Sequence, residues 1–313
     1  MKVLFVCSGN RTIGKPGPVV RNQSDALISE GVNIRFYLIT KAGFLGYLLS
    51  IIPLINAIKK EKPNCIHSHY SLSAFVSTVA LFFVRSKIKH VVSLMGSDAQ
   101  SKGWKKYLIR LFHKKYWSYT IVKSESMAIQ LNLNDYNVIP NGVDLNKIKP
   151  IDEIDSKNLN TVIFVADPSR FSKNFPLAQK SIDIAKLSNQ KINFLTKFNM
   201  LHKDVVELLN SSSCLLLTSR WEGSPNIVKE AMACNIPIVS TNVGDVEWLL
   251  DGVEGCFVVN HNENEIGNAI LNALNFFNLN RKTMGRKKII DLQLDSSSIS
   301  SKIISLYENI KNR

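Results

Sequence analysis

Glu222 and Glu230 are separated by seven residues that include the turn Gly223-Ser224-Pro225-Asn226, ahead of an apolar run and a short strand, Pro237 to Ser240. Serine caps helices well and proline suits the first helical position, so the spacing predicts a helix over 225–234 with Ser224 as its cap. The free backbone N–H groups of Ser224, Pro225's successor Asn226 and Ile227, with the helix dipole, favour a phosphate. Glu222 in the loop and Glu230 on the helix can accept hydrogen bonds from sugar hydroxyls. Phosphate at a helix start with acids on either side suits a nucleotide-sugar. The same residues also read as an ordinary capped helix with two solvated acids.

The elements that must hold these groups alternate. In the first half, apolar strands are expected at 3–7, 32–39, 65–67, 90–94, 119–122 and 137–139, with helices at 19–29, 43–60, 72–83 and 102–117 between them. The second half repeats the scheme, with strands at 161–166, 192–196, 214–218, 237–240 and 255–259 and helices at 174–187, 203–210, 225–234 and 263–277. Such alternation implies α/β domains with parallel sheets covered on both faces. The turn Pro140-Asn141-Gly142 and the polar segment 151–160 place a boundary between domains 1–150 and 151–313. Two doubly wound domains of this kind would face one another across a cleft. A tail helix from about 296, carrying Ile299, Ile303, Ile304 and Leu306, is free to cross back onto the first domain.

Composition narrows the class. The chain has 313 residues, 45% of them hydrophobic, with five cysteines in apolar contexts and no CxxC pair. The cysteines read as reduced core residues of a cytoplasmic protein. No GxGxxG opens either half, which disfavours a dehydrogenase. The apolar stretch 42–58 falls short of a bilayer span and reads as a buried or interfacial helix. The formal net charge of +14 lies entirely in the first half: residues 1–150 hold 21 Lys and Arg against 7 Asp and Glu, residues 151–313 hold 18 of each. Residues 102–117 mix Lys and Arg with Trp104, Tyr107, Phe112, Tyr116 and Trp117, and positions 104, 108, 111 and 112 share one helical face. That pattern suits an anionic membrane surface, and equally a helix packed on its own domain. In the amino-terminal loop, Gly14 and Gly17 permit close backbone approach to a phosphate or an acceptor.

The segment WEGSPNIVKEAMACNIPIVSTNVGD, 221–245, resembles the donor-site signature of retaining glycosyltransferase family 4, the glycosyl transferases group 1, which have the GT-B fold. PNGVD at 140–144 and IHSHYSLSA at 66–74 are similar to other parts of that family. The resemblance implies two Rossmann-like domains, the first binding acceptor and the second binding donor. Gly223, Ser224, Pro225, Asn226, Ile227 and Glu230 would contact the donor, with Glu230 on ribose and Glu222 on the sugar. Arg170 and Lys173, in VADPSRFSKN, look like the family's pair of cations for the leaving diphosphate. That pair would stand in for a metal, and no Asp-x-Asp element occurs, so no metal or other cofactor is expected. His69 and Asp98 are further catalytic candidates near the cleft, although Asp98 also reads as a helix cap. Met95 stands where many relatives carry histidine.

The implied activity is retaining transfer of a hexosyl unit from a nucleotide-sugar to a lipid-linked or saccharide acceptor in cell-surface polysaccharide or lipopolysaccharide synthesis. The expected setting is cytoplasmic, peripheral on the inner membrane face, without nucleic acid. Two other readings stay open: a GT-B nucleotide-sugar 2-epimerase, and a non-enzymatic basic module binding nucleic acid.

Overall fold

The computed structural model describes residues 1–10, 14–85, 87–151 and 159–311. It forms two compact units, Met1–Gly142 with Ser296–Arg313, and Val143–Asp295. Arg11, Thr12 and Ile13 of the amino-terminal loop, and residues 152–158 of the polar segment, lie outside the described residues.

The first unit runs β1 (Lys2–Ser8), α1 (Pro18–Ser29), β2 (Asn33–Ile39), α2 (Gly43–Leu49), α3 (Ile51–Glu61), β3 (Cys65–His69), α4 (Ser71–Val84), β4 (Lys89–Ser93), α5 (Gly96–Ala99), α6 (Gly103–Lys115), β5 (Tyr119–Val122), α7 (Glu125–Leu131) and β6 (Asn137–Val138). The strands are parallel in the order β2-β1-β3-β4-β5-β6. The second unit runs β7 (Thr161–Val165), α8 (Phe175–Ser188), β8 (Asn193–Lys197), α9 (His202–Asn210), β9 (Cys214–Leu217), α10 (Asn226–Ala233), β10 (Ile238–Thr241), α11 (Val246–Leu250), β11 (Phe257–Val259), α12 (Glu263–Asn280) and α13 (Gly285–Asp291). Its strands are parallel in the order β11-β10-β9-β7-β8. The last helix, α14 (Ser296–Lys311), belongs to the first unit.

Strands buried on both faces need apolar side chains throughout, as in β1, whose Val3, Leu4, Phe5 and Val6 are buried. β3 departs from this, because His67, Ser68 and His69 are buried too. The strand is tolerated where its polar atoms find partners: His67 Nε2 meets Ser93 Oγ at 2.8 Å and Ser68 Oγ meets His90 Nε2 at 2.8 Å. Burial holds His90 neutral, with a pKa of about 3. α14 supplies the remaining partner: the hydroxyl of fully buried Tyr307 lies 2.5 Å from His67 Nδ1.

Several expectations are corrected. The stretch 43–60 is two helices, not one, because the chain turns at Ser50, whose hydroxyl bonds back to the Gly46 carbonyl at 2.8 Å. Residues 43–61 are nonetheless long and apolar enough to cross a membrane by length and composition alone. In α6 the inward face is set by Ile109 and Phe112, packed against Phe75 and Trp117, while Trp104 and Tyr107 stand exposed. The helix predicted from 225 begins at Asn226, with Pro225 in extended conformation as its cap and no capping bond from Ser224. β11 starts at Phe257 because Gly255, at φ 82°, is still turning.

Tyr307→Phe should leave buried His67 Nδ1 unpaired and cost about 1–3 kcal/mol. Tyr307→Ala adds a cavity and should cost about 3–5 kcal/mol. Denaturant midpoints of the two variants check this order; a Tyr307→Phe midpoint equal to that of the unsubstituted protein would refute a role for the hydroxyl.

Candidate functional site

A doubly wound sheet opens at the edge where strand order reverses, because the loops on either side run to opposite faces. In the second unit this point lies between β7 and β9, which are neighbours in the sheet. The loop after β7 carries Arg170 and Lys173; the loop after β9 carries Ser219, Arg220 and Glu222. The two loops are joined by an ion pair, Lys173 Nζ to Glu222 Oε1 at 2.5 Å, with both side chains mostly enclosed. Ser219 Oγ also donates to Glu222, at 2.7 Å. Thr218 Oγ1 and the Arg220 amide tie the β9 loop to the carbonyls of Lys173, Asn174 and Ser172. Arg170 is exposed at the start of the short turn Phe171–Lys173. Arg220, which the sequence did not single out, lies 4.4 Å over the ring of Phe171.

α10 follows, and its first turn is built from beneath. Lys229 is fully buried and donates from Nζ to Ser224 Oγ at 2.9 Å. This is why Ser224 makes no cap: its hydroxyl faces an ammonium group. Burial lowers the Lys229 pKa to about 8, opposed by the charges of Asp245 and Glu230. Asp245 has both carboxylate oxygens enclosed without a hydrogen-bond partner, and burial raises its pKa to about 6 against the pull of Lys229. The loop carrying Asp245 lies against the turn: a Cβ on Gly244, whose φ is 64°, would sit 2.6 Å from the Gly223 carbonyl oxygen. Glu230 leaves the helix on the outer side and meets His202 Nε2 of α9 at 3.3 Å. That bond raises the His202 pKa above its ordinary value, against partial burial. Asn226 and Ile227 are half-buried at the open end of the helix.

The sequence therefore found the turn and its acids but not Lys229, Asp245, His202 or Arg220. Lys229 had a signal: it falls on the same helical face as Met232 and Ala233, both buried. His202 opens α9 and Asp245 caps α11, and no local pattern pairs either with the turn 222–226.

In the first unit the reversal lies between β1 and β3. His69 ends β3 there, buried, with neither ring nitrogen hydrogen-bonded. Burial and the Lys123 charge lower its pKa to about 3. Asp98 is fully buried and turned to the chain: it accepts from the Met95 amide at 2.9 Å and from Ser71 Oγ at 2.6 Å, with Lys105 Nζ at 3.5 Å. Burial raises its pKa, and these donors oppose the shift. Gly14 has φ 73° and open space where a Cβ would stand; Gly17 caps α1, also with open space.

Residues 150–275 match the sequence model of the family described as glycosyl transferases group 1, and residues 15–147 that of glycosyltransferase family 4. An uncharacterised glycosyltransferase of Methanocaldococcus jannaschii is 30% identical over 270 residues, covering 77% of this chain and 74% of that protein. The chain belongs to the glycosyltransferases. Its two parallel α/β units are those of the GT-B fold. The Anabaena protein HepE, crystallised with UDP and glucose, is similar to this glycosyltransferase with a TM-score of 0.74 at 16% identity, covering 99% of this chain and 100% of that one. An Escherichia coli enzyme named UDP-Gal:alpha-D-GlcNAc-diphosphoundecaprenol alpha-1,3-galactosyltransferase is 23% identical over 263 residues, 68% of this chain and 67% of that enzyme.

Removing one member of a buried charge pair strands the other. Lys229→Met in this glycosyltransferase should cost about 3–5 kcal/mol, and Lys229→Met with Asp245→Asn less than the sum of the single changes. The sign with pH follows from Asp245: its folded pKa of about 6 exceeds the ordinary 3.8, so its contribution to stability falls as pH climbs between them. The double variant should lose that fall, as read by unfolding at a series of pH values. His202 should titrate above 6.5 by NMR and drop back in Glu230→Gln; an unchanged titration would sink the pairing.

Proposed function

We propose that this glycosyltransferase moves a hexosyl unit from a nucleotide-sugar to a saccharide or lipid-linked acceptor, with retention, in the assembly of a cell-surface polysaccharide or lipopolysaccharide. The second unit is the donor side and the first the acceptor side. The observation that carries the reading is the enclosed Lys173–Glu222 pair at the β7/β9 edge, beside the open first turn of α10. A lysine ammonium has three donors, and Glu222 engages one, leaving others for phosphate oxygens. Arg170, exposed on the same loop, adds a second cation. The backbone N–H groups of Ser224, Asn226 and Ile227, at the start of α10, would donate to phosphate or sugar oxygens. Gly223 presents its carbonyl to the neighbouring loop, which Gly244 allows to approach closely, and Pro225 fixes the turn. Glu222 accepts from sugar hydroxyls and Glu230, steadied by His202, from ribose hydroxyls. A UDP donor is favoured by the names of the Escherichia coli relative and by the HepE complex.

The chemistry is a front-face substitution. The acceptor hydroxyl forms its bond to the anomeric carbon on the side from which the diphosphate departs. The breaking C–O bond leaves its electron pair on the diphosphate, and a phosphate oxygen takes the hydroxyl proton. Negative charge grows on the bridging oxygen, where Lys173 and Arg170 stabilise it in a partly dehydrated site. This asks for no metal and no enzyme nucleophile. His69, neutral by burial, and Asp98 stay candidate residues of the acceptor side, His69 for direct contact and Asp98 through the turn it holds. Gly14 and Gly17 leave open backbone beside them. The exposed Trp104 and Tyr107 among the lysines of α6 support a peripheral site on the inner, anionic membrane face.

The test is a panel of UDP-, GDP-, ADP- and dTDP-sugars with membrane lipid extract, scored by melting temperature and by label transfer. One donor should raise the melting temperature and label the lipid fraction, with the product's anomeric configuration retained. Lys173→Ala should lower turnover by roughly 10²–10³-fold. If no nucleotide-sugar shifts the melting temperature, the reading fails.

A further inference from the structure

A cavity of 640 Å³ opens in the first unit at the β1/β3 edge. Its floor holds the least satisfied polar group described in the unit. His69 is 2% exposed and neither ring nitrogen has a hydrogen-bond partner. A neutral imidazole carries one donor and one acceptor, and leaving both unmet in a buried place is costly. Hydroxyl groups, which donate and accept, satisfy both; an anion satisfies only the donor. One wall carries Lys105, whose Nζ lies 3.0 Å from the Tyr70 hydroxyl and 4.6 Å from that ring's centre. Its ammonium, which also stands 3.5 Å from the Asp98 carboxylate, lines the same cavity as the imidazole and has a further N–H to offer a phosphate.

The mouth is of opposite character. Phe44 of α2 and Trp104 of α6 both line the cavity and are 64% and 62% exposed. Behind Phe44, the exposed side chains Leu45, Leu48, Leu49 and Ile52 continue along α2 and the start of α3 at helical spacing. No Asp or Glu occurs from Gly31 to Lys60, while Lys41, Lys59 and Lys60 flank the apolar run. A contiguous apolar face beside a polar pocket, rimmed by lysines, fits a lipid whose head is anionic.

We infer that this cavity binds the acceptor as an amphipathic molecule, with a hydroxyl-bearing, phosphate-linked head against His69 and Lys105 and an apolar chain leaving between Phe44 and Trp104 over α2. The inference rests on the glycosyl-transfer reading above and narrows its acceptor to a lipid-linked one. His69 then acts by hydrogen bonding to the head, because its burial leaves it uncharged at neutral pH.

The full chain is titrated with two probes below their micellar concentrations: an N-acetylglucosaminyl diphosphate ester carrying a dodecyl chain and the same head carrying a methyl group. Tryptophan emission reads binding, and Trp104→Phe assigns the signal. The dodecyl probe should bind at least about tenfold tighter than the methyl probe, as burial of several methylenes requires. In Phe44→Ser/Leu48→Ser the ratio should fall below roughly threefold. His69→Phe and, independently, Lys105→Ala should weaken both probes by about tenfold. Equal binding of the two probes, or a chain preference that survives the α2 substitutions, overturns the proposal. UDP-sugar stabilisation is measured in the same samples. Its absence with probe binding intact sinks the transfer reading alone; its presence with equal probes sinks the cavity assignment alone.

Discussion

Parallel pairing governs both units. A strand can join a parallel neighbour only through a crossover, so every β-to-α loop leaves from the same edge of its sheet. Where the strand order reverses, successive crossovers pass over opposite faces and the loops part. Everything of chemical interest sits at those two places: Lys173 and Glu222 beside β7 and β9, His69 beside β1 and β3. The local loop sequences differ completely between the halves. Their common position follows from chain direction and sheet order, not from residue similarity.

Each of these edges is supported by polarity that the hydrophobic core would otherwise reject. In the second unit, Lys229 and Asp245 put buried charges under the turn 222–226: Lys229 donates to Ser224, and the charge of each favours the charged form of the other. In the first, His67 is bonded on both ring nitrogens, to Ser93 and to Tyr307, and stacks 4.4 Å from His69. One imidazole is fully satisfied and fixes the position of the next, which is not. Polar groups inside a low-dielectric core stabilise one arrangement at the expense of alternatives, because any shift leaves one of them unpaired.

How far the residues foretold this depends on length scale. Strands such as Val3–Cys7 and Cys214–Leu217 were legible because burial on both faces demands an unbroken apolar run. The helices α7, α11 and α13 were not: with five to seven residues, they give too little periodicity to read. The turn at 222–226 was legible in its types and spacing, yet Ser224 was mistaken for a cap because its true partner, Lys229, acts through the buried face of the helix. The break at Ser50 falls in a run interrupted by Ser50, Pro53 and Asn56, whose helical periodicity nonetheless reads as one helix. The first unit's cavity was illegible in principle, since its walls come from residues spread between Cys7 and Lys105.

The five cysteines have a practical consequence. None forms a disulfide, Cys7, Cys65, Cys214 and Cys234 are buried and Cys256 is half-buried. Burial pushes the thiols of Cys7, Cys65, Cys234 and Cys256 up to about 12 and that of Cys214 up as well. A thiol so suppressed reacts with an alkylating reagent only when its surroundings open. Cys7 and Cys65 lie in β1 and β3, and the other three lie in the second unit. The chain thus carries built-in clocks for each half, and the order in which the thiols become labelled would time the opening of one unit against the other without any added probe.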